Sequence, residues 1–365
     1  MLHKIFNIIK KYERVGSALG LITGLILTPL ALGRIDMPIE NIWIVLHLLM
    51  AIVGILILNY YENLVTKGKT NEKHKEVVHF WLTILIQFAY GNLFSTFIVF
   101  YFRSAVLSFA WPFLLFILAL LIGNEIWKPY YHVLTLQLTT LFLAVYMFVI
   151  FGLPVILKHI GTDVFLWSGF YSLLFIFIFS LILRSFTKEK FKKSRKSLVF
   201  SILGVYIIIN AMYFLNIIPP IPLSLKTAGV YHDLSKNSAG NYVALEETRD
   251  WKTFFEMYPV FHRLGDEPVY VFGAVFAPTQ LNTKIFHKWQ YFDDKTKKWI
   301  DSTILEIPIV GGREKGFRIY SSKETLFPAL WRVDVLSESK QIIGRLKFKI
   351  QDVSRPVQME SVVML

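Results

Sequence analysis

Long apolar segments with almost no charged residues constrain this chain more than any other feature of its sequence. A helix that crosses the bilayer core, about 30 Å thick, needs about 20 apolar residues, and seven segments up to Ile217 meet that requirement. Charged side chains are nearly absent from them, in keeping with an insertion cost of about 2.5 to 3.5 kcal/mol per charge. We therefore predict an α-helical membrane bundle of seven transmembrane helices over residues 1–217, with spans at Val15–Gly33, Ile42–Tyr60, Val77–Tyr101, Ala105–Gly123, His132–Leu157, Val164–Leu183 and Leu198–Ile217.

The distribution of lysine and arginine predicts the orientation of this bundle. Sixteen of these residues fall in the N-terminal arm and in the loops on its side of the membrane, against three, Arg34, Arg103 and Lys158, on the opposite side. Because cytoplasmic loops carry the excess of basic residues, we expect a cytoplasmic N-terminus and a C-terminal part outside the inner membrane. Most of the net charge of +13 is thereby explained without an acidic ligand.

The basic run Arg184–Lys196 is the densest part of this charge. Its simplest interpretation is topological. The alternative is that it binds anionic lipid head groups, worth about 1 kcal/mol per residue near the surface. We expect no nucleic-acid partner, because no aromatic platform interleaves with the run.

After the last predicted span the composition changes to that of an ordinary soluble domain. Pro219, Pro220 and Pro222 end the helix, and residues 218–268 are interpreted as a polar connector with a short helix near Trp251–Tyr258. Over residues 269–365 the pattern acquires a period of two, which indicates strands with one buried and one exposed face. Six such runs predict an all-β, immunoglobulin-like antiparallel sandwich, and they are Val269–Phe276, Lys284–Phe292, Lys298–Val310, Gly316–Ser321, Leu330–Leu336 and Ile342–Ile350.

Short motifs in this part carry a resemblance to a known family. They are Ile285-Phe286-His287-Lys288-Trp289, Gly311-Gly312-Arg313, Gly316-Phe317-Arg318, Trp331-Arg332-Val333-Asp334-Val335 and Ile343-Gly344-Arg345 with Phe348. Together they resemble the bacterial domain-of-unknown-function family 2914, a C-terminal module carried behind multi-pass membrane regions in Gram-negative bacteria. The resemblance implies an uncharacterised envelope protein, and the family supplies no assigned activity, cofactor or catalytic residue. One departure is the segment Ser337-Glu338-Ser339-Lys340, where the family usually has a hairpin turn with a glycine.

Several kinds of catalytic and metal chemistry are missing from the sequence. The chain has no cysteine, which excludes disulfides, thiol catalysis and cysteine-ligated zinc. It also lacks zinc-protease, nucleophile-elbow and phosphate-loop motifs. His232, His262 and His287 are too far apart for a recognisable metal spacing, although folding could still bring them together. The acidic and basic residues from Asp293 to Lys298 predict a charged hairpin turn. We therefore expect no enzyme activity and no cofactor.

One strand pattern suggests a ligand-binding surface on the exported domain. Three residues on one face of the run Lys284–Phe292 would form an aromatic shelf if that face is open. Two arginines and a tyrosine from later strands are expected nearby, and guanidinium groups suit carboxylates, phosphates or sugar hydroxyls. The alternative is that Trp289 and Trp331 are core residues between two sheets. The candidate ligand surface consists of His287, Trp289, Tyr291, Arg313, Arg318 and Tyr320.

The third predicted span carries a polar face inside an otherwise apolar helix. Side chains about four residues apart lie along one winding face, and polar groups in lipid need partners. The face could line a path for a solute or proton, but hydrogen bonding between helices is the simpler interpretation. Its residues are His79, Thr83, Gln87, Asn92 and Ser95.

Small residues in the first predicted span form a second packing pattern. Gly16, Gly20 and Gly24 repeat every four residues, which lets two helices approach closely. They predict either a seam between two copies of the chain, and hence a homo-oligomer, or packing within the bundle of one chain.

Three functional hypotheses follow. The leading one is a non-enzymatic, multi-pass inner-membrane protein, surrounded by membrane lipids, whose periplasmic sandwich binds an envelope component: a protein, peptidoglycan or an anionic glycan. The alternative is a transporter or channel-like protein that uses the polar face of the third helix. The third is a membrane-embedded enzyme acting on a lipid-linked substrate, with His79, Glu125 and His132 as acid or base groups at the cytoplasmic boundary.

Overall fold

The computed structural model of the chain divides into two compact units, a helical unit that ends at Ile218 and a β unit that begins at Pro219. Gly16, Gly20, Gly24 and nearly all of the first predicted span lie outside the described residues, as do Arg313 and most of the short helix expected near Trp251. The structure describes residues 28, 30, 32–33, 37–68, 72–104, 106–127, 130, 132–220, 222–238, 240–248, 258–277, 282–310 and 317–364.

Six helices form the described part of the helical unit, and each coincides with one of the predicted spans from the second to the seventh. Five of them are long and apolar enough to cross a membrane, whereas the apolar part of α3, Ala110–Ile126, is shorter. The helices are α1 (Pro38–Thr66), α2 (Glu72–Ser104), α3 (Leu107–Ile126), α4 (Leu134–Leu157), α5 (Thr162–Phe186) and α6 (Lys188–Phe214).

The basic run Arg184–Lys196 is helical over most of its length, which corrects its interpretation as a loop. α6 begins at Lys188 and therefore includes most of the run. Lysine, arginine and glutamate are good helix formers, so a helix can extend beyond its apolar part into a polar environment. The basic residues still mark one end of the helix.

The described residues of the β unit form eleven strands in three sheets. All six predicted strands are present, and β5 and β7 have the predicted bounds. The strands are β1 (Ser224–Tyr231), β2 (Asp233–Lys236), β3 (Tyr242–Glu247), β4 (Val260–Leu264), β5 (Val269–Phe276), β6 (Asn282–Asp293), β7 (Lys298–Val310), β8 (Phe317–Lys323), β9 (Leu330–Ser337), β10 (Ile342–Val353) and β11 (Met359–Met364).

The three sheets have the orders β1-β5-β8, β4-β10-β9-β6-β7 and β11-β3-β2. All pairs are antiparallel except β10 with β4, which is parallel. Four strands, β1 to β4, lie in the segment interpreted as a connector, so that interpretation is corrected. These strands are short or rich in polar and small residues, and each forms by pairing: β1 with the apolar β5, β4 with β10, and β2 and β3 with each other and β11.

β5 is the central strand of the β unit and is buried on both faces. On one side Val269 and Val271 pack with Trp289 and Trp331 of the five-stranded sheet. On the other side Phe272 packs in a cluster with residues of β3. Burial on both faces explains why the strand has a nearly continuous apolar sequence instead of an alternating one.

Gly344 in β10 is required by a close approach of β1. A Cβ atom at this position would overlap the side chain of Leu225. The preceding residue, Ile343, lies at an irregularity in the pairing of β10 with β9 and is buried. The motif Ile343-Gly344-Arg345 therefore reflects a bulge followed by a tight contact between sheets.

The turn between β9 and β10 has the shape expected for a turn that usually contains glycine. The amide of Lys340 donates to the carbonyl of Ser337 at 2.9 Å. Lys340 has a positive φ of 61°, a conformation that glycine adopts at little cost and that other residues adopt less readily. Ser337–Lys340 thus has no glycine at this turn but still forms a turn with a positive φ at Lys340.

Candidate functional site

The predicted aromatic shelf lies inside the β unit, not on its surface. His287 and Trp289 share a face of β6, as expected, but both are completely buried. Ser321 Oγ of β8 accepts a hydrogen bond from Trp289 Nε1 at 3.0 Å and lies 2.8 Å from His287 Nδ1. Tyr291 is partly buried and packs against Trp331. The alternative stated for Trp289 and Trp331, a position between the sheets, is the observed one.

His287 is a core residue whose imidazole ring is neutral at pH 7. Burial lowers its pKa to about 4. Its Nε2 atom is buried and has no hydrogen-bond partner among the residues that the structure describes. Ser321 Oγ therefore links His287 to Trp289 inside the core, and the neutral imidazole has no open side toward a ligand.

The structure does not bring the other predicted shelf residues to His287. Side chains alternate along β8, so buried Ile319 and Ser321 face the core while Arg318 and Tyr320 face away from it. Arg318 lies 3.4 Å from Asn241 Oδ1, and Tyr320 is 46% exposed. Arg313 is outside the described residues.

The polar face of α2 makes contacts with neighbouring helices. Gln87 Nε2 donates to Glu125 Oε2 of α3 at 2.5 Å, and Asn124 Nδ2 donates to the Gln87 carbonyl at 2.9 Å. Ser95 donates to Thr28 Oγ1 at 3.1 Å. Asn92 differs, because its side chain donates to the carbonyl of Phe88 in its own helix. Gln87 is thus the residue of this face that joins α2 to α3.

A second polar contact, not predicted from the sequence, joins three other helices. Lys190 Nζ at the start of α6 donates to Glu62 Oε2 at 2.6 Å and to Asn59 Oδ1 at 3.1 Å, both near the end of α1. Asn59 in turn donates to Gln137 Oε1 of α4 at 2.6 Å. His79 Nε2 lies 3.9 Å from Glu62 Oε1, close to this group. Thr83 Oγ1 lies 3.5 Å from His79 Nδ1.

The outer face of the five-stranded sheet presents a different aromatic and basic group, which we call the Trp299 surface. It consists of Trp299 on β7, Arg332 on β9, Lys347 on β10 and Tyr258 before β4. The Arg332 guanidinium lies 4.2 Å from the centre of the Trp299 ring. Lys347 Nζ lies 6.0 Å from the same ring and 5.5 Å from the ring of Tyr258.

Pairing across β9 and β10 makes this surface electrostatically unusual. Arg332 and Lys347 are directly opposite each other in the antiparallel ladder, and so are Asp334 and Arg345. The second pair is an ion pair, whereas the first places two cations side by side, an arrangement that destabilises a sheet. In the part of the chain that the structure describes, no carboxylate forms an ion pair with Arg332 or Lys347.

The rest of this face follows the usual rule of opposite charges. Lys288 lies 2.9 Å from Asp301, and Lys284 lies 2.7 Å from Glu306. Partial burial and the neighbouring Arg345 lower the pKa of Arg332, while the carboxylates of Asp334 and Asp301 act in the opposite direction, and a guanidinium keeps its charge at neutral pH. The local excess of positive charge therefore lies at the Trp299 surface.

Two histidines and two glutamates form a hydrogen-bonded cluster where β3 and β4 meet. The ring nitrogens of His232 lie 3.1 Å from Glu267 Oε1 and 3.2 Å from Glu247 Oε1. Glu247 also accepts from the backbone amide of His262 and lies 2.7 Å from its Nδ1. Each ring nitrogen of His232 therefore faces a carboxylate oxygen, and Glu247 at the end of β3 is linked to His262 of β4.

The hydrogen bonds of this cluster stabilise the ionised form of Glu247, so the stability that they give the β unit depends on pH. Among the residues described, no group of three or more histidine and acidic side chains is arranged to hold a metal ion. Burial alone would raise the pKa of Glu247, but hydrogen bonds from His232 and His262 lower it to about 2. The ionised carboxylate is therefore strongly preferred in the folded state.

We predict that Glu247→Gln destabilises the β unit by about 1 to 3 kcal/mol at pH 7, since the two histidines lose a negatively charged acceptor and one carboxylate oxygen becomes an amide donor. A carboxyl group whose pKa is depressed by folding stabilises fully above its unfolded pKa near 4.5 and loses this effect as the pH falls toward about 2. Denaturant unfolding monitored by tryptophan fluorescence from pH 7 to pH 2 measures both effects. Glu360→Gln, on the exposed part of β11, is the control. An equal acid dependence of stability in Glu247→Gln and the unsubstituted protein would contradict the prediction.

Comparisons with known proteins concern mainly the C-terminal part. Residues 282–350 match the model of a family described as Protein of unknown function (DUF2914). No curated protein matches the chain. A solved structure, the Pseudomonas fluorescens alkylpurine DNA glycosylase AlkC bound to DNA containing an abasic site analog, aligns at 9% identity over 88% of this chain and 100% of that chain, with a TM-score of 0.21, too low to support any argument. The C-terminal module, from β6 to β10, thus matches the domain-of-unknown-function family 2914 that its motifs resemble.

Proposed function

We propose that this chain is a multi-pass inner-membrane protein whose seven transmembrane helices anchor a periplasmic, sandwich-like β domain that binds an anionic envelope glycan. Five long apolar helices support the membrane location. The sixth and seventh crossings are the shorter apolar part of α3 and the span predicted at Val15–Gly33. The function is binding, not catalysis.

α6 supports the orientation without any count of the other helices. Its first turns carry most of the basic run, its second half is apolar, and the β unit follows its C-terminal end. Because basic residues stay in the cytoplasm, the end of α6 emerges on the periplasmic side. The β unit then lies outside the inner membrane.

Cysteine labelling tests this orientation cleanly, because the natural chain has no cysteine. Ser235→Cys lies on exposed β2, and Ser185→Cys lies at the exposed end of α5. We expect a membrane-impermeant maleimide to label Ser235→Cys in intact spheroplasts and Ser185→Cys only after lysis. The reverse pattern of labelling would overturn the periplasmic location and leave the fold of both units unaffected.

The observation that carries the binding proposal is the pair of cations held at the Trp299 surface. Arg332 Nε donates to Gln290 Oε1 at 2.7 Å, which fixes the side chain and leaves the terminal nitrogens of its fork for a ligand. Trp299 supports the guanidinium, and Lys347 adds an ammonium from the next strand. A carboxylate or phosphate bound between Arg332 and Lys347 would offset the repulsion between these two cations. Repeated acidic groups of a glycan suit such a site.

We predict that Arg332→Gln and Lys347→Gln each weaken binding of heparin, used as a soluble anionic glycan, by about tenfold or more, the equivalent of one lost charged contact. Lys349→Gln, an exposed residue two positions along β10, is the matched control and should keep most of the affinity. Binding by the full chain in detergent, measured by fluorescence anisotropy, should fall with increasing salt. Neutral dextran should not bind.

A stability measurement separates a ligand site from a structural one. We expect Lys347→Glu to stabilise the β unit by about 0.2 to 1 kcal/mol, because it turns a like-charged pair into an opposite-charged one, while abolishing heparin binding. Loss of both stability and binding would indicate that Lys347 is only structural. Equal heparin affinity in all these variants would overturn the assignment of the surface.

The polar residues of the helical unit favour packing over transport. Gln87 is hydrogen-bonded to Glu125 of α3, and Lys190 is hydrogen-bonded to Glu62 of α1. These polar groups therefore have hydrogen-bond partners within the helical unit. We predict that Gln87→Leu lowers the stability of the helical unit by roughly 1 to 3 kcal/mol, since Glu125 loses a buried donor. Asn92→Leu, which removes a bond within one helix, should change it by no more than about 0.5 kcal/mol. Unfolding in mixed micelles measures the difference.

Gln87→Leu also tests the transport hypothesis. A Gln87→Leu protein of normal stability that loses a solute-dependent phenotype would favour a path along the polar face of α2. A Gln87→Leu protein that is only less stable would favour packing.

A further inference from the structure

The edge strand β7 combines exposed backbone with an adjacent pocket. β7 ends the five-stranded sheet formed by the described residues, and β8 ends the three-stranded sheet on the same side of the β unit. An edge strand presents unpaired backbone groups to which another strand can bond. Natural sheets usually block such edges with prolines, bulges or charges.

Two of these blocking features, a bulge and a proline, lie at the ends of a five-residue stretch of β7, and within that stretch the charge of Glu306 is paired with Lys284 of β6. The pairing with β6 shifts at Ser302, because Gln290 is opposite Asp301 whereas Trp289 is opposite Thr303. Pro308 lies further along the strand and has no amide hydrogen. The five residues 303–307 between these points pair regularly with β6. We call this stretch the open edge.

A pocket lies beside the open edge. It has a volume of about 260 Å³, and both edge strands line it, with Thr303 and Leu305 from β7 and Ser322 and Lys323 from β8. Trp289 also lines it. In an added strand every second side chain would point toward the space between the two sheets. The pocket is therefore placed to receive one of those side chains.

Lys323 determines which side chain fits. Its Nζ donates to Thr303 Oγ1 at 2.8 Å, and an ammonium has three donor positions. Among the described residues no carboxylate forms an ion pair with Lys323, although the exposed Glu324 also lines the pocket. Burial lowers the pKa of Lys323, as expected for an ammonium that lacks a counter-ion. A carboxylate in the pocket would supply one.

We propose that the open edge of β7 binds an extended segment of a partner protein as an added strand, with an acidic side chain of that segment placed in the pocket beside Lys323. Backbone hydrogen bonds along residues 303–307 would supply affinity, and the pocket would supply selectivity. This site is separate from the Trp299 surface, since Thr303 and Leu305 face the pocket while Trp299 lies on the outer face.

A second copy of the chain fits this edge less well than an acidic segment. Antiparallel pairing of two open edges centred on Leu305 would place Ile307 of the second copy opposite Thr303. An apolar side chain beside Lys323 would bury the ammonium without a counter-ion, which is costly. Charge complementarity therefore favours a different, acidic partner.

Short synthetic peptides on the full chain in detergent test the proposal. The probe is a fluorescent seven-residue threonine and valine peptide with glutamate at its centre, and its controls have glutamine or lysine there. We expect the glutamate peptide to bind about tenfold more tightly than the lysine peptide, the equivalent of one charged contact. Methylating alternate backbone nitrogens should abolish binding in one register and spare it in the other, because only every second amide of an added strand faces β7.

Two variants complete the experiment. Lys323→Gln should reduce the preference for glutamate over glutamine to less than about twofold while keeping binding itself. Ile304→Lys, a charge on the exposed edge, should weaken all peptides, whereas Lys349→Gln should leave them unchanged. Equal binding of the three peptides, equal effects of the two methylation registers, or no binding at millimolar concentration would overturn the proposal. So would a dimer, detected by light scattering, that Ile304→Lys dissociates.

Discussion

The burial of β5 on both faces is the constraint on which the rest of the β unit depends. Its valines close the core around Trp289 and Trp331, and Phe272 on its opposite face needs the sheet formed by β2, β3 and β11 as cover. The segment that matches a known family begins after β5, at residue 282. That segment contains most of the five-stranded sheet, but its core is closed by Val269 and Val271, which precede it. The folding unit is therefore larger than the matched segment, and the residues once interpreted as a connector belong to it.

The sequence predicted which residues form strands better than it predicted which face of a strand is inside. Runs of β-branched and aromatic residues placed β5 and β7 correctly, and alternation put His287 and Trp289 on one face, but a period of two does not say which face meets another sheet. One signal was available, since the opposite face of β6 carries Lys284 and Lys288 and is the one that water favours. The Trp299 surface could not be predicted from the sequence, because it depends on the register of β9 with β10 and on a hairpin between β6 and β7. Strands β1 and β4 were missed because pairing with β5 and β10 determines them, and β2 and β3 were missed because they pair with each other and with the distant β11.

On the five-stranded sheet, some basic residues lie beside a carboxylate and two lie opposite each other. Lys284, Lys288 and Arg345 each have a carboxylate partner and need no ligand to explain them. Arg332 and Lys347 are opposite each other without one, and the sheet bears the cost of their repulsion. Sequences usually keep local choices consistent with the fold, and exceptions concentrate at functional sites. The missing partner distinguishes this small surface from the general positive charge of the chain, which the proposed membrane orientation would explain.

The basic residues of the helical unit show why counting charges alone is not enough. Lys190 belongs to the basic run on which the proposed orientation rests, yet its ammonium is hydrogen-bonded to Glu62 and Asn59 of α1. It therefore contributes to packing as well as to orientation, and its neighbours in the run differ from it in having exposed side chains. A lysine with a defined internal partner costs stability when it is replaced, whereas an exposed one chiefly changes the balance of charge across the membrane. The same number of basic residues can thus carry different physical roles, and only their contacts distinguish them.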